Sequence, residues 1–485
     1  MVSETSRLAT MKWMAIFFST VMAAIAASAQ EKPVRAVDEV FADLSQPGSP
    51  GCALAVARDS KIIYEQGYGL ANIEEGVAIS PQTVFDIGST SKQFTAASIL
   101  LLEKQGKLSV NDDIRKYLPE IPDYGHKITI LHLLNHTSGL RDYLTLFILG
   151  GVNIDNVTTD EDALAVVARQ KALNFVPGSE WLYSNTGFFL LSVIVKRSSG
   201  ETLREFATEN IFEPLDMKHT VFRNEHTQLL ANRALAYDPN EVGGGFKLNV
   251  SYFEQTGDGA VHTSVEDILK WDENFYSGKV GGTTFLNEMQ EPGKLNSGKT
   301  LDYAKGLFVG NYRGLRFVDH GGSWGGYRAQ LLRFPEQHFS VACLCNLANA
   351  NPEKRAHQVA DIFLTSAMKE PAPAKAHDPE KREKKATAPL GADKLAAYSG
   401  KFRCDELVAT YLFEVTDGKL MLKSIQNGDG FIRTDQNLML RPVAPDVFVE
   451  DEEGLEFDFR RAATGEVNEF HLDAGRTKGL VFTRK

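Results

Sequence analysis

The chain has 485 residues, 43% of them hydrophobic and 24% charged, with a net charge of −11 and an isoelectric point near 5.6. This is the composition of a globular chain long enough for two or three domains, and its acidic balance gives no footing for a nucleic-acid partner.

The N-terminus comes first. Arg7 and Lys12 precede an apolar run from Trp13 to Ala27, and Ala27-Ser28-Ala29 has the small-x-small form of a cleavage site. The run is short for a spanning helix, so residues 1–29 read as a secretory signal. The expectation is an exported protein, periplasmic or extracellular, with no stable membrane anchor after cleavage.

Val34 to Leu44 has amphipathic helical spacing, and Gly51 to Arg58 and Lys61 to Tyr68 read as strands joined at Asp59-Ser60. A short β-type run then ends at Gly88, and a helical pattern begins near Ser89, with Phe94, Ala97 and Leu101 on one face. Ser89 thus stands at a helix start and Lys92 one turn on, on the same side. A hydroxyl with an amine in reach and unpaired N–H groups behind it has the parts of an activated nucleophile. The plainer reading is an N-cap serine beside a solvated lysine. Ser-x-x-Lys is a weak signal, and a second copy, Ser366 to Lys369, sits at a helix tail.

From Leu101 to about Gly278 the pattern is mainly helical, with helices expected over Ile130–Leu134, Glu161–Leu173, Gly187–Lys196, Leu203–Ile211 and Val265–Phe275. Strands return at Lys305–Tyr312, Leu315–Asp319, Tyr327–Phe334 and Ser340–Asn346, and a helix over Ala356–Met368 follows. Early strands, a helical middle and late strands require a sheet assembled from both ends of the region, an α+β arrangement. Lys369 to Pro389, rich in Pro, Ala, Lys and Glu, reads as a linker. Beyond it, short strands recur about every ten residues, beginning with a hairpin around Asp417-Gly418, which suggests a small all-β barrel. The domains expected are 30–368 and 390–485.

Two further motifs bear on Ser89. Tyr183-Ser184-Asn185 precedes an apolar helix, and His320-Gly321-Gly322-Ser323 lies at a strand end. Gly321 to Gly325 also satisfies Gly-x-Ser-x-Gly, but that elbow needs a helix after the serine, and the residues from Tyr327 read as a strand. Cys52, Cys343, Cys345 and Cys404 form no compact framework. Cys343 and Cys345 share a strand face and are not expected to pair, and all four read as buried free thiols. No metal-ligand cluster or phosphate-cradling loop is legible, so no metal or cofactor is expected.

Taken together, Ser89-x-x-Lys92, Tyr183-x-Asn185 and His320-Gly321-Gly322, with Leu133-Leu134-Asn135-His136-Thr137-Ser138-Gly139-Leu140 and Gly257-Asp258-Gly259, resemble the serine β-lactamase and penicillin-recognising hydrolase superfamily. The branch is that of class C β-lactamases, D-alanyl-D-alanine carboxypeptidases, esterases and aminopeptidases. The likeness covers about Glu39 to Met368, and 390–485 more faintly resembles an appended lipocalin-like domain. The resemblance implies an antiparallel sheet flanked by helices with a helical lobe. It also implies an acyl-enzyme on Ser89, with Lys92 and Tyr183 sharing the proton work, and leaves open which is the base. Asn185 and the segment His320, Gly321, Gly322 and Ser323 would bind substrate, with the N–H groups of Ser89 and Ser323 as oxyanion hole.

Where this superfamily often has Lys-Thr-Gly, the chain has His-Gly-Gly, so a permanent cation is missing. That favours esters or other amides over β-lactams or D-alanyl-D-alanine carboxylates, unless Arg328 restores the charge. The alternative is a catalytically silent binding protein on the same fold. The tail has three open roles: narrowing the site, presenting substrate, or mediating oligomerisation.

Overall fold

A computed structural model describes residues 34–153, 156–371, 390–428 and 434–485. The segment read as a signal, and all of the linker but its first three residues, lie outside the described residues. A helix over 34–40 (α1) leads into β1 (Cys52–Arg58) and β2 (Lys61–Tyr68). Later come α2 (Lys92–Lys104), α3 (Asn185–Ser199) and α4 (Val265–Ser277). The strands β3 (Tyr303–Ala304), β4 (Leu307–Tyr312), β5 (Leu315–Trp324), β6 (Tyr327–Phe334) and β7 (Phe339–Cys345) follow, then α5 (Pro352–Leu364). The sheet order is β3-β4-β5-β6-β7-β1-β2, antiparallel throughout. The early and late strands therefore meet at the β7–β1 pair, as the α+β reading requires.

Alternation along the central strands divides the interior into two cores. Cys52, Leu54 and Val56 of β1 and Val341, Cys343 and Cys345 of β7 face α1 and α5, where Val37, Phe41, Val359 and Ala360 close one core. Ala53, Ala55, Ala342 and Leu344 point the other way, into the core shared with α2, α3 and α4. With both faces covered, these strands lose the polar half of the usual pattern, which is why they read as unbroken apolar runs. The helix α3 is buried from Asn185 through Val195, all round rather than along a stripe.

One expectation is corrected here. Cys52 stands opposite Cys345 in the β1–β7 register and the two are disulfide-bonded, while Cys343 and Cys404 are buried free thiols. A pairing across 293 residues depends on strand register, which spacing along the chain does not reveal.

The C-terminal strands β8 (Gly400–Cys404), β9 (Ala409–Thr416), β10 (Lys419–Asn427), β11 (Thr434–Ala444), β12 (Val447–Glu450), β13 (Leu455–Arg461), β14 (Val467–Ala474) and β15 (Thr477–Arg484) form a closed barrel, sealed by β8 against β15. Strand β8 had no counterpart in the sequence reading. Phenylalanine rings fill the interior, with Phe470 4.5 Å from Phe482 and 5.5 Å from Phe413 between centroids.

The barrel is docked on the helical lobe through polar groups taken out of water. Glu406 accepts from Arg141 Nη1 at 2.7 Å and from the Lys171 N–H at 2.6 Å, and both charged side chains are almost fully buried. Arg141 also donates to the carbonyls of Lys478 (3.0 Å) and Gly479 (2.9 Å) at the start of β15. Tyr411 and Asn427 reach from the barrel to the carbonyls of Leu149 and Gly150. Among the described residues, no helix is long and apolar enough to cross a membrane.

Two measurements test this picture. Alkylation of denatured, unreduced protein should modify Cys343 and Cys404 but spare Cys52 and Cys345, as read by peptide mass spectrometry. Glu406→Gln leaves the Arg141 charge buried without its partner, and urea unfolding should register a loss of about 3 kcal/mol.

Candidate active site

Helix α2 is preceded by one 3-10 turn, Gly88–Ser91, that carries Ser89. This turn is wedged against β5. Thr90 Oγ1 donates to the His320 carbonyl at 3.1 Å. A Cβ on Gly322 would lie 1.8 Å from the Ile87 carbonyl oxygen, and one on Gly88 2.7 Å from the Ser323 nitrogen. The glycines of the third motif thus serve close packing: only without a Cβ can the strand backbone lie against the start of the serine turn. The result brings the Ser323 backbone up to the turn that bears Ser89. Strand β5 runs on through Trp324, longer than expected, and a short turn at Gly325-Gly326 leads into β6. No helix follows Ser323, so the nucleophile-elbow reading fails, as expected.

Lys92 is fully buried. Its Nζ lies 3.0 Å from Ser89 Oγ, 3.0 Å from Asn185 Oδ1 and 2.5 Å from the Asp258 carbonyl oxygen. Burial, opposed by the attraction of Asp258 and reinforced by the repulsion of Arg476, pulls its pKa down to about 7. The consequence for a neutral amine is specific. Two of the three neighbours, an amide oxygen and a backbone carbonyl, can only accept, so the two N–H bonds of the amine are taken there and its lone pair faces the Ser89 hydroxyl.

Tyr183 presents its ring to the same cleft, 4.9 Å from Lys92 Nζ. Its hydroxyl is buried without a partner of full hydrogen-bond geometry, although Ser89 is near enough to lower its pKa somewhat. Desolvation outweighs that contribution and raises the phenol well above its ordinary range. Lysine and tyrosine are therefore pushed in directions that favour a neutral amine and a neutral phenol.

Sequence reasoning assigned no part to several neighbours. Asn185 is held by its N–H on Asp142 Oδ2 at 2.6 Å. Asp258 accepts from Tyr143 Oη at 3.0 Å, and burial raises its pKa to about 6. His136 packs 4.2 Å from the Tyr183 ring and accepts the Ser184 N–H at Nδ1. Asp258 and His136 lay inside quoted motifs, but their roles needed the fold. Arg476, from the barrel, had no signal at all: its guanidinium carbon stands 4.7 Å over the Tyr183 ring.

His320 is buried and neutral. It donates from Nδ1 to the Gly321 carbonyl at 2.6 Å, its Nε2 receives Tyr303 Oη at 3.3 Å, and burial drags its pKa down to about 3. Arg328 lines the cleft but spends Nη1 on the carbonyls of Gly325 and Tyr327, at 2.7 and 2.6 Å. Ser89, Tyr183, Asn185, His320, Gly321, Gly322 and Ser323 all border one cleft of about 1860 Å³, and Lys92 reaches it through Ser89. The second Ser-x-x-Lys, at Ser366, is exposed just past the end of α5 and is not among the residues that border the cleft.

A serine, a buried amine and a phenol converging on one cleft, on a sheet flanked by helices, define a serine hydrolase of the β-lactamase type. Residues 35–364 match the Beta-lactamase family, and the chain belongs to it. It is 30% identical over 311 residues, 61% of its length, to penicillin-binding protein 4* of Bacillus subtilis (strain 168), covering 68% of that protein. It is 29% identical over 349 residues, 71% of its length, to the D-aminopeptidase of Gluconobacter oxydans (strain 621H), spanning 63% of that relative. The octameric penicillin-binding protein homologue from Pyrococcus abyssi superposes over 93% of this chain and 99% of its own, with TM-score 0.61 and 22% identity, a likeness of fold.

The glycine contact gives a test. Gly322→Ala must push β5 off the Ile87 carbonyl. Chemical denaturation should show a loss of about 1–3 kcal/mol, and turnover of an activated ester should fall more steeply than that loss of stability explains.

Proposed function

We propose that this hydrolase works through an acyl-enzyme on Ser89, cleaving an ester or amide, with Lys92 as general base. The observation that carries the reading is the three-way environment of Lys92 Nζ, in which two obligate acceptors leave the lone pair directed at Ser89 Oγ. Lys92 takes the Ser89 proton as Oγ forms its bond to the substrate carbonyl carbon. The oxyanion so formed is received by the N–H groups of Ser89 and Ser323. The C–O or C–N bond then breaks, and the departing group leaves with the proton from Lys92, relayed through the Tyr183 hydroxyl. Water attacks the ester by the same route in reverse, giving a free acid and restoring Ser89.

Substrates of D-amino-acid amide or peptide type are supported by the relatives' names, a D-aminopeptidase and a penicillin-binding protein, and simple esters by the neutral third motif. Export is supported by the signal-like N-terminus and by the Cys52–Cys345 bond, a feature of oxidising compartments.

A fluorophosphonate probe should place its adduct on Ser89, and an adduct on Ser323 would overturn the assignment. Ser89→Ala should lower turnover by a factor on the order of 10⁴ or more. The base is active when deprotonated and its pKa is depressed by burial, so kcat/KM should rise with pH along a limb centred near 7. A profile without that limb, or with it retained in Lys92→Met, would exclude Lys92 as base.

A further inference from the structure

The cleft contains a cation that the hydrolase domain does not itself supply. Arg476 lies in the turn between β14 and β15, at the tip of a barrel hairpin, and borders the same cleft as Ser89, Trp181, Tyr183 and Asn185. The turn is held on both sides. The Arg476 carbonyl accepts from Asn174 Nδ2 at 2.9 Å, and Lys478 N–H donates to Asn174 Oδ1 at 2.8 Å. The carbonyls of Lys478 and Gly479 are gripped by Arg141, which is itself locked by Glu406. The backbone of the hairpin is thereby immobilised while the Arg476 guanidinium projects over the Tyr183 ring.

Among the described residues, no carboxylate comes within ion-pair distance of Arg476. The acids that shape the site are engaged elsewhere, Asp142 with the Asn185 N–H and Asp258 with Tyr143. Arg223 and Arg233 also border the cleft but lie beside Asp86 and His262, and three further basic groups near the serine are engaged or neutral. Lys92 is turned to Ser89, Asn185 and Asp258, Arg328 is bonded to carbonyls of its own turn, and His320 is neutral. Arg476 is exposed at the rim of the cleft, and an exposed guanidinium with no carboxylate partner among the described residues can seat a planar anion, whose carboxylate matches its forked donors.

We infer that Arg476 of the C-terminal barrel is the carboxylate-recognition residue of the Ser89 site, so that the preferred substrates are acyl compounds bearing a carboxylate near the scissile bond. The fixed cation missing from the His-Gly-Gly strand is provided by another domain, and the barrel is thereby a working part of the site. This inference rests on the acyl-enzyme reading for the chemistry but not for the binding, and the two can be tested apart.

For binding, the full chain carrying Ser89→Ala, which cannot be acylated, is titrated by calorimetry with monomethyl glutarate and with dimethyl glutarate. The monoanion should bind at least tenfold more tightly than the diester, and adding Arg476→Ala should abolish that difference. Equal binding of the two ligands, or a preference that survives Arg476→Ala, overturns the inference even if Ser89 is shown to be the nucleophile. For turnover, the otherwise wild-type chain is compared on mono-p-nitrophenyl glutarate and its neutral isostere p-nitrophenyl pentanoate, on the alkaline plateau where Lys92 is deprotonated. The ratio of kcat/KM for the two esters should fall at least tenfold in Arg476→Ala, mainly through KM. It should be partly restored in Arg476→Lys and fall below the alanine value in Arg476→Glu. A ratio unmoved by all three changes overturns the inference, whereas loss of turnover in every protein with the binding difference intact counts against the acyl-enzyme reading alone.

Discussion

Taking the amine of Lys92 out of water is the constraint around which the rest is arranged. A lysine on an exposed helix turn keeps its proton far above neutral pH and cannot act as a base. Here the side chain is fully buried among α2, α3 and the Gly257–Gly259 loop, and each of these presents an oxygen or an apolar wall to it. The cost of burying a charge becomes the lowered proton affinity that the proposed chemistry requires. Asp258 works against this shift through its charge and Arg476 works with it, so the amine sits between an acid of the helical lobe and a base of the barrel.

That balance ties together parts of the chain that are far apart in sequence. Arg141 and Asp142 are adjacent residues with opposite tasks. Arg141 grips the barrel through Glu406 and the start of β15, and Asp142 holds the N–H of Asn185, which in turn receives Lys92. Loosening the barrel therefore bears on the site through one peptide bond. The disulfide between Cys52 and Cys345 joins the early and late strands on the opposite, α1–α5 side of the sheet, where it stabilises the framework and takes no part in the cleft.

Much of the fold was legible because local patterns agreed with the tertiary outcome. The strands Lys61–Tyr68 and Tyr327–Phe334 and the short helix Ile130–Leu134 have the bounds their sequences suggest. Errors arose where tertiary contact overrode the local text. Strand β5 continues through His320-Gly321-Gly322, past the end expected at Asp319, because the flat glycine backbone is needed against Ile87 and Gly88. Strand β8 went unread because only Phe402 and Cys404 mark its buried face. Cys52 and Cys345 were misjudged because pairing follows register, and the early and late strands become neighbours only when the sheet closes.

The sequence by itself determined the family, the α+β hydrolase with an appended barrel, and the four side chains Ser89, Lys92, Tyr183 and Asn185, since each motif sits at an element boundary that local spacing marks. Only the tertiary structure decided their electrostatics. Whether an amine or a phenol is poised to lose a proton depends on the solvent removed from each and the charges set beside it. Those come from Asp142, Asp258 and Arg476, residues separated by up to hundreds of positions along the chain and brought to within a few ångströms of the site by folding. Charge acts through space, and sequence order carries no record of that distance.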